Sequence, residues 1–131
     1  MNDFLNDIQT QFNQVNGFEN KYMLLLKLAK TGSFLAKEQC IEKNEVGGCE
    51  AKVWLCASQK EGKTHFVVSS DARLIKSILW LIVNIANQSD QTKKIDYVSI
   101  LLGLGLGNVV SQSRQNGILK IQQKIERILV L

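Results

Sequence analysis

Cys40, Cys49 and Cys56 are the sulfur nucleophiles of this chain, and the residues around them differ. Cys49 follows Gly47 and Gly48 in "NEVGGCEAKVWLC", where the absence of side chains lets the backbone turn tightly and aim N–H groups at a neighbouring thiolate. A thiol in an exposed loop near positive charge ionises readily, whereas one packed in a strand or helix acts as a small apolar filler. On the residues alone, both readings of Cys49 stand. Cys56 shares a strand face with Trp54 and reads as packing. If that strand is continuous back to Cys49, seven residues at ~3.3 Å each put the two sulfurs ~23 Å apart, beyond disulfide reach. Cys40 reads as a half-buried loop thiol that a flexible segment could bring toward Cys49.

Other polar groups narrow the chemistry. The cysteine spacings of nine and seven, with His65 the single histidine, do not make the paired ligands of a structural zinc site. His65 reads as a surface or rim histidine at the start of a strand. "GLGLG", residues 103–107, lacks a preceding strand and the lysine of a phosphate loop, and reads as the end of a short helix packed on a neighbour. In "SQSRQNG", residues 111–117, Ser111 or Ser113 can cap a helix, which puts Arg114 in its first turn. A cation is disfavoured there by roughly 0.3–1 kcal/mol, so either a carboxylate such as Asp71 pairs with Arg114 or an anionic site such as a thiolate faces it. Gly117 within that helix costs about 1 kcal/mol against alanine and predicts a close-packed backbone neighbour.

The elements that position these groups follow from hydrophobic spacing. Phe4, Leu5, Ile8 and Phe12 predict one helix; after the break at Asn16 and Gly17, Phe18, Tyr22, Leu25, Leu26 and Ala29 predict a second, ended by Gly32. Residues 33–48 read as a connecting segment. From Ala51 the period becomes two, "KEGK" supplies a hairpin turn and "THFVVSS" a return strand. Ser70 and Asp71 suit the start of the helix "ARLIKSILWLIVNIAN", whose second half is apolar almost all round and therefore central. "IDYVSILLGLGL" predicts a short helix or two turns, and Ile118, Ile121, Ile125, Ile128 and Leu129 line one face of the last helix. The fold class is α+β, a small antiparallel sheet packed against helices, in a single domain over residues 1–131.

Composition excludes several classes. A chain of 131 residues with 45% hydrophobic content buries roughly two thirds of its unfolded surface and needs no metal or disulfide to fold. Its net charge of +4 comes from scattered lysines rather than a basic stripe with aromatics, which argues against nucleic acid as a partner. "ILWLIVNIA" is half the length that spans a bilayer, and the N-terminal residues lack a signal-peptide pattern, so a cytoplasmic protein with free thiols and no membrane partner is expected.

"NEVGGCEAKVWL", "SSDARLIKSILWLI" and "LGLGNVVSQSRQNGI" resemble, in order and spacing, the SufE/CsdE family of sulfur-acceptor proteins. The resemblance runs from about Phe18 to the C-terminus. It implies a fold like that of IscU-type cluster scaffolds and a partner, a pyridoxal-phosphate cysteine desulfurase of the SufS or CsdA kind, whose persulfide sulfur passes to Cys49. The sulfur would then go to an iron–sulfur scaffold, with the desulfurase stimulated. The pyridoxal phosphate would belong to the partner, so the chain itself is expected to bind no cofactor and to act as a persulfide carrier, a monomer or weak homodimer, rather than as a stand-alone enzyme. Arg114 matches the family arginine near the acceptor loop. Gly47 and Gly48 would shape that loop, and Leu106, Val109 and Val110 are candidates to shelter the sulfur. Gly47, Ala51, Ser69 and Gln112 depart from the family pattern, and Ala51 removes a hydroxyl beside Cys49. Two other function classes share the residues: a thiol redox protein pairing Cys49 with Cys40, and a non-catalytic interaction module.

Overall fold

The computed structural model describes residues 3–47 and 51–131, so Gly48 and Cys49 lie outside the described residues. Helix α1, Asp3–Asn13, buries Ile8 and Phe12 as their spacing requires. Gly17 adopts φ +83 and breaks the path before α2, Phe18–Lys30, which buries Leu25 and Ala29. Gly32 lies against the Trp80 indole, where an added Cβ would collide with Nε1. Residues 33–46 include two 3-10 turns, Lys37–Gln39 and Glu42–Asn44. Strand β1, Val53–Lys60, starts two residues after the predicted Ala51. It pairs antiparallel with β2, Lys63–Ser70, through the Glu61–Gly62 turn, whose φ values of 53 and 78 match the right-handed twist of the ribbon.

A two-stranded ribbon is marginal by itself. Here helix α3, Arg73–Gln88, covers the face lined by Val53, Leu55, Phe66 and Val68, and carries a continuous buried run from Ser77 to Val83. Helices α1 and α2 pack on α3 as well, which explains its nearly all-round apolar character. The ribbon edges are closed by polar groups. Asn87 Oδ1 accepts from Phe66 N at 2.8 Å while its Nδ2 donates to Phe66 O at 3.0 Å. Gln91 repeats this at Thr64, accepting at 3.1 Å and donating at 2.6 Å. Lys63 Nζ donates to the carbonyls of Asn87 and Ser89 at 2.9 and 2.6 Å, neutralising the C-terminal end of α3.

Helix α4, Tyr97–Gly103, is capped by Asp96 and ends at the predicted glycines. Leu106 N donates to Leu101 O and Gly105 N to Leu102 O, with Gly105 at φ +85, so the glycines serve a helix end rather than a phosphate loop. Helix α5, Gln112–Leu129, buries Gly117, Ile118, Ile121 and Ile125. The observed class is α+β, with five α-helices and one two-stranded antiparallel sheet among the described residues. None of these helices is long and apolar enough to cross a membrane.

Two outcomes test this arrangement. Asn87→Ala strands a buried donor and a buried acceptor and is expected to lower the unfolding free energy by about 2–3 kcal/mol in urea titration. The Asp96 carboxyl is held below its usual range by the Ser99 hydroxyl and then by the Ser99 N–H. A lowered folded value stabilises the protein above the ordinary carboxylate range and stops doing so as pH falls through it. The deficit of Asp96→Ala, about 1 kcal/mol at neutral pH, is therefore expected to shrink on acidification in denaturation curves.

Candidate functional site

The described residues on either side of Cys49 are tied to the start of the ribbon. On the incoming limb Glu45 bridges Trp54, and Val46 N donates to Val53 O at 2.8 Å. On the outgoing limb Lys52 is held three times: its N donates to Asp71 Oδ1 at 3.1 Å, while its carbonyl accepts from Ser70 Oγ at 2.7 Å and from Asp71 N at 3.3 Å. Asp71 therefore does not open α3. The helix starts at Arg73 behind Ala72, with no side-chain cap, because the Asp71 carboxylate is engaged by the backbone of Lys52. Ser70 Oγ accepts from Ala72 N at 3.2 Å, which closes the corner between strand and helix.

Ala51, two residues after Cys49, lines a small cavity of about 30 Å3 with Val53, Ile75, Ile78, Leu79, Ser113, Arg114, Gly117, Ile118 and Ile121. The walls are apolar except for Ser113 and the Arg114 side chain. A guanidinium at the wall of a mostly apolar space acts on a nearby anion with less screening than in bulk water. The cavity thus offers apolar cover and one fixed cation beside the segment leading from Cys49.

Local sequence explains how α5 supplies that cation. Ser111 is the N-cap, its Oγ accepting from Arg114 N at 3.4 Å. The Arg114 side chain folds back so that Nη1 donates to Val109 O at 3.0 Å, a carbonyl outside the helix. This contact, rather than the anticipated Asp71 carboxylate, offsets the cost of a cation at the helix start; Asp71 and Arg114 are each held by backbone groups instead. Leu106, Val109 and Val110 are buried in the core and are not among the cavity walls. Gly47 borders a separate surface cleft with Glu45, Lys120, Lys124, Glu126 and Arg127.

Ile75, Ile78 and Leu79 were not singled out from the sequence, nor were Ser113, Ile118 and Ile121 as site residues. Their signal was present: 75, 78 and 79 share one face of α3, and 113, 114, 117, 118 and 121 share one face of α5. Of the remaining thiols, Cys40 and Cys56 are half-buried and not joined in a disulfide, and Cys40 Sγ donates to Ala36 O at 3.6 Å. Burial pushes the Cys56 thiol above its ordinary range, the Lys43 ammonium opposes that rise and Cys40 adds to it. His65 is half-buried on β2, opposite Ser58.

The family model described as SufE, Fe-S metabolism associated domain, matches residues 6–129. The chain belongs to the SufE family. Among SufE relatives, an uncharacterized SufE-like protein of Haemophilus influenzae is 25% identical over 123 residues, covering 92% of this chain and 98% of that protein. The sulfur acceptor protein CsdE of Escherichia coli is 26% identical over 121 residues, covering 90% and 82%. A SufE-like protein of Rhizobium etli is 24% identical over 127 residues, covering 92% and 86%.

The hold on Lys52 in this SufE chain can be measured directly. Asp71→Ala removes the acceptor of the Lys52 N–H, and hydrogen exchange followed by NMR is expected to show that amide exchanging at least tenfold faster, equivalent to about 1.4 kcal/mol of local opening. Unchanged exchange at Lys52 would mean that Ser70 Oγ and the backbone N–H of residue 71 hold the limb without the carboxylate.

Proposed function

We propose that this chain is a sulfur acceptor in iron–sulfur metabolism, taking persulfide sulfur onto Cys49 from a pyridoxal-phosphate cysteine desulfurase in the cytoplasm. The observation that carries the reading is the cavity beside Ala51, which combines apolar walls with the Arg114 guanidinium next to the segment leading from Cys49. Family membership supports it, as does the similarity to CsdE of Escherichia coli, a sulfur acceptor protein. In the proposed step the Cys49 thiolate attacks the terminal sulfur of the partner's persulfide. A sulfur–sulfur bond forms to Cys49 while the bond to the partner's cysteine breaks, and that cysteine leaves as a thiolate. No external oxidant or reductant is consumed.

The chain's own residues have separate parts in this scheme. Arg114 favours the anionic forms of Cys49 and of its persulfide. Ile75, Ile78, Leu79, Ile118 and Ile121 supply cover from water, which slows loss of the carried sulfur to reductants and oxidants. Asp71 and Ser70 hold Lys52, and Val53 holds Val46. Removal of the sulfur stimulates the desulfurase, and a downstream scaffold consumes it. The chain needs no cofactor of its own, since the pyridoxal phosphate that generates the persulfide belongs to the partner.

Incubation with a cysteine desulfurase and cysteine is expected to add one sulfur atom to Cys49, read by peptide mass spectrometry. Cys49→Ser abolishes the addition and Cys56→Ser retains it. Arg114→Ala is expected to slow transfer about tenfold, the equivalent of about 1.4 kcal/mol for one charge-assisted contact. Label confined to Cys40 or Cys56 would reject the assignment. A Cys49→Ser protein that keeps full pathway activity would instead indicate a non-catalytic interaction module.

A further inference from the structure

Residues 35–46 run from one edge of the ribbon to the other. Leu35 N donates to Val68 O on β2 and Val46 N donates to Val53 O on β1, both at 2.8 Å. A segment tied to both outer edges must cross one face of the sheet, and α3 occupies the face lined by Phe66 and Val68. The crossing therefore takes the opposite face. Side chains alternate along a strand, so with Val53 and Leu55 buried against the helices, Trp54 and Cys56 belong to the crossed face. Cys40 stands at the middle of the crossing, and the next turn, Glu42–Asn44, lies against β1. The Glu45–Trp54 bridge holds the end of that turn to β1, and the Lys43 ammonium within the turn acts on the Cys56 thiol. Among the described residues no group of three or more histidine, cysteine or acidic side chains is placed to hold a metal ion, so the pair has no metal-site partners there.

We propose that Cys40 and Cys56 form a redox-active thiol pair that a peroxide closes into an intramolecular disulfide, clasping the crossing segment to β1. One thiolate attacks a peroxide oxygen and becomes a sulfenic acid as the other oxygen departs as water; the second thiol attacks that sulfur and expels a second water. The two sulfurs are oxidised and the peroxide is reduced. The ring so closed contains residues 40–56 and hence Cys49, so oxidation places that residue within one covalent loop. A consequence, which rests on the sulfur-acceptor reading, is slower sulfur uptake by the oxidised protein.

The test uses the full chain carrying Cys49→Ser, treated with mild hydrogen peroxide, digested without reduction and mapped by mass spectrometry. A linked Cys40–Cys56 peptide that disappears with dithiothreitol is expected, with no such link in the further variants Cys40→Ala or Cys56→Ala. Both thiols remaining free to alkylation, or a disulfide-linked dimer on a non-reducing gel, would overturn the proposal. With Cys49 restored, peroxide-treated protein is expected to take up sulfur several-fold more slowly than Cys40→Ala treated alike. Equal rates would remove the regulatory consequence. Reduced protein that takes up no sulfur would reject the acceptor reading while leaving the mapped disulfide intact.

Discussion

A two-strand ribbon has two open edges and two faces, and everything at the candidate site hangs from one. Left alone it would expose a row of unpaired N–H and C=O groups and one row of large apolar side chains. The chain closes each of these. Helix α3 covers one face, the amides of Asn87 and Gln91 mimic a neighbouring strand along β2, and Val46 pairs with β1 at the other edge. Because Asn87 lies on the helix that also covers the face, burial of α3 and closure of the edge are one event rather than two.

That arrangement sets what can happen at the far end of the ribbon. The backbone of Lys52 is held by Ser70 and Asp71, from the corner where β2 gives way to α3, so the outgoing limb is anchored to the junction of strand and helix. The incoming limb is anchored to the same strand at Val53. The face of α5 that carries Ser113, Arg114 and Gly117 borders the same cavity as Ile75, Ile78 and Leu79 of α3, and Ala51 lines it too.

Much of the fold was legible in local pattern. The "KEGK" turn, the alternation around Trp54 and the apolar run of α3 each depend on neighbours within a few residues, and each appears in the structure with boundaries shifted by one or two positions. Ser111 as the cap of α5 was equally readable, since capping is a local exchange between a side chain and the next turn. Asp71 was misread for the converse reason. A carboxylate before a helix has two possible uses, and the choice between capping its own helix and holding Lys52 is made by a strand nineteen positions away. Leu106, Val109 and Val110 are apolar and near Arg114 in sequence, yet the helix turn directs them into the core while Ile75, Ile78 and Leu79 of α3 face the cavity.

The sequence by itself determined the α+β class, the order of elements, the distinction of Cys49 from Cys56 by their surroundings, and the resemblance that led to the SufE family. These follow from side-chain periodicity, turn chemistry and short motifs, which are properties of contiguous residues. Only the tertiary structure decided that Arg114 is held by the Val109 carbonyl and that Asp71 serves Lys52. Both pairings are choices among several possible partners, and the second joins residues nineteen positions apart. They exist because burying α3 brings strand, corner and crossing segment to one place, and no local pattern encodes which distant group will be waiting there.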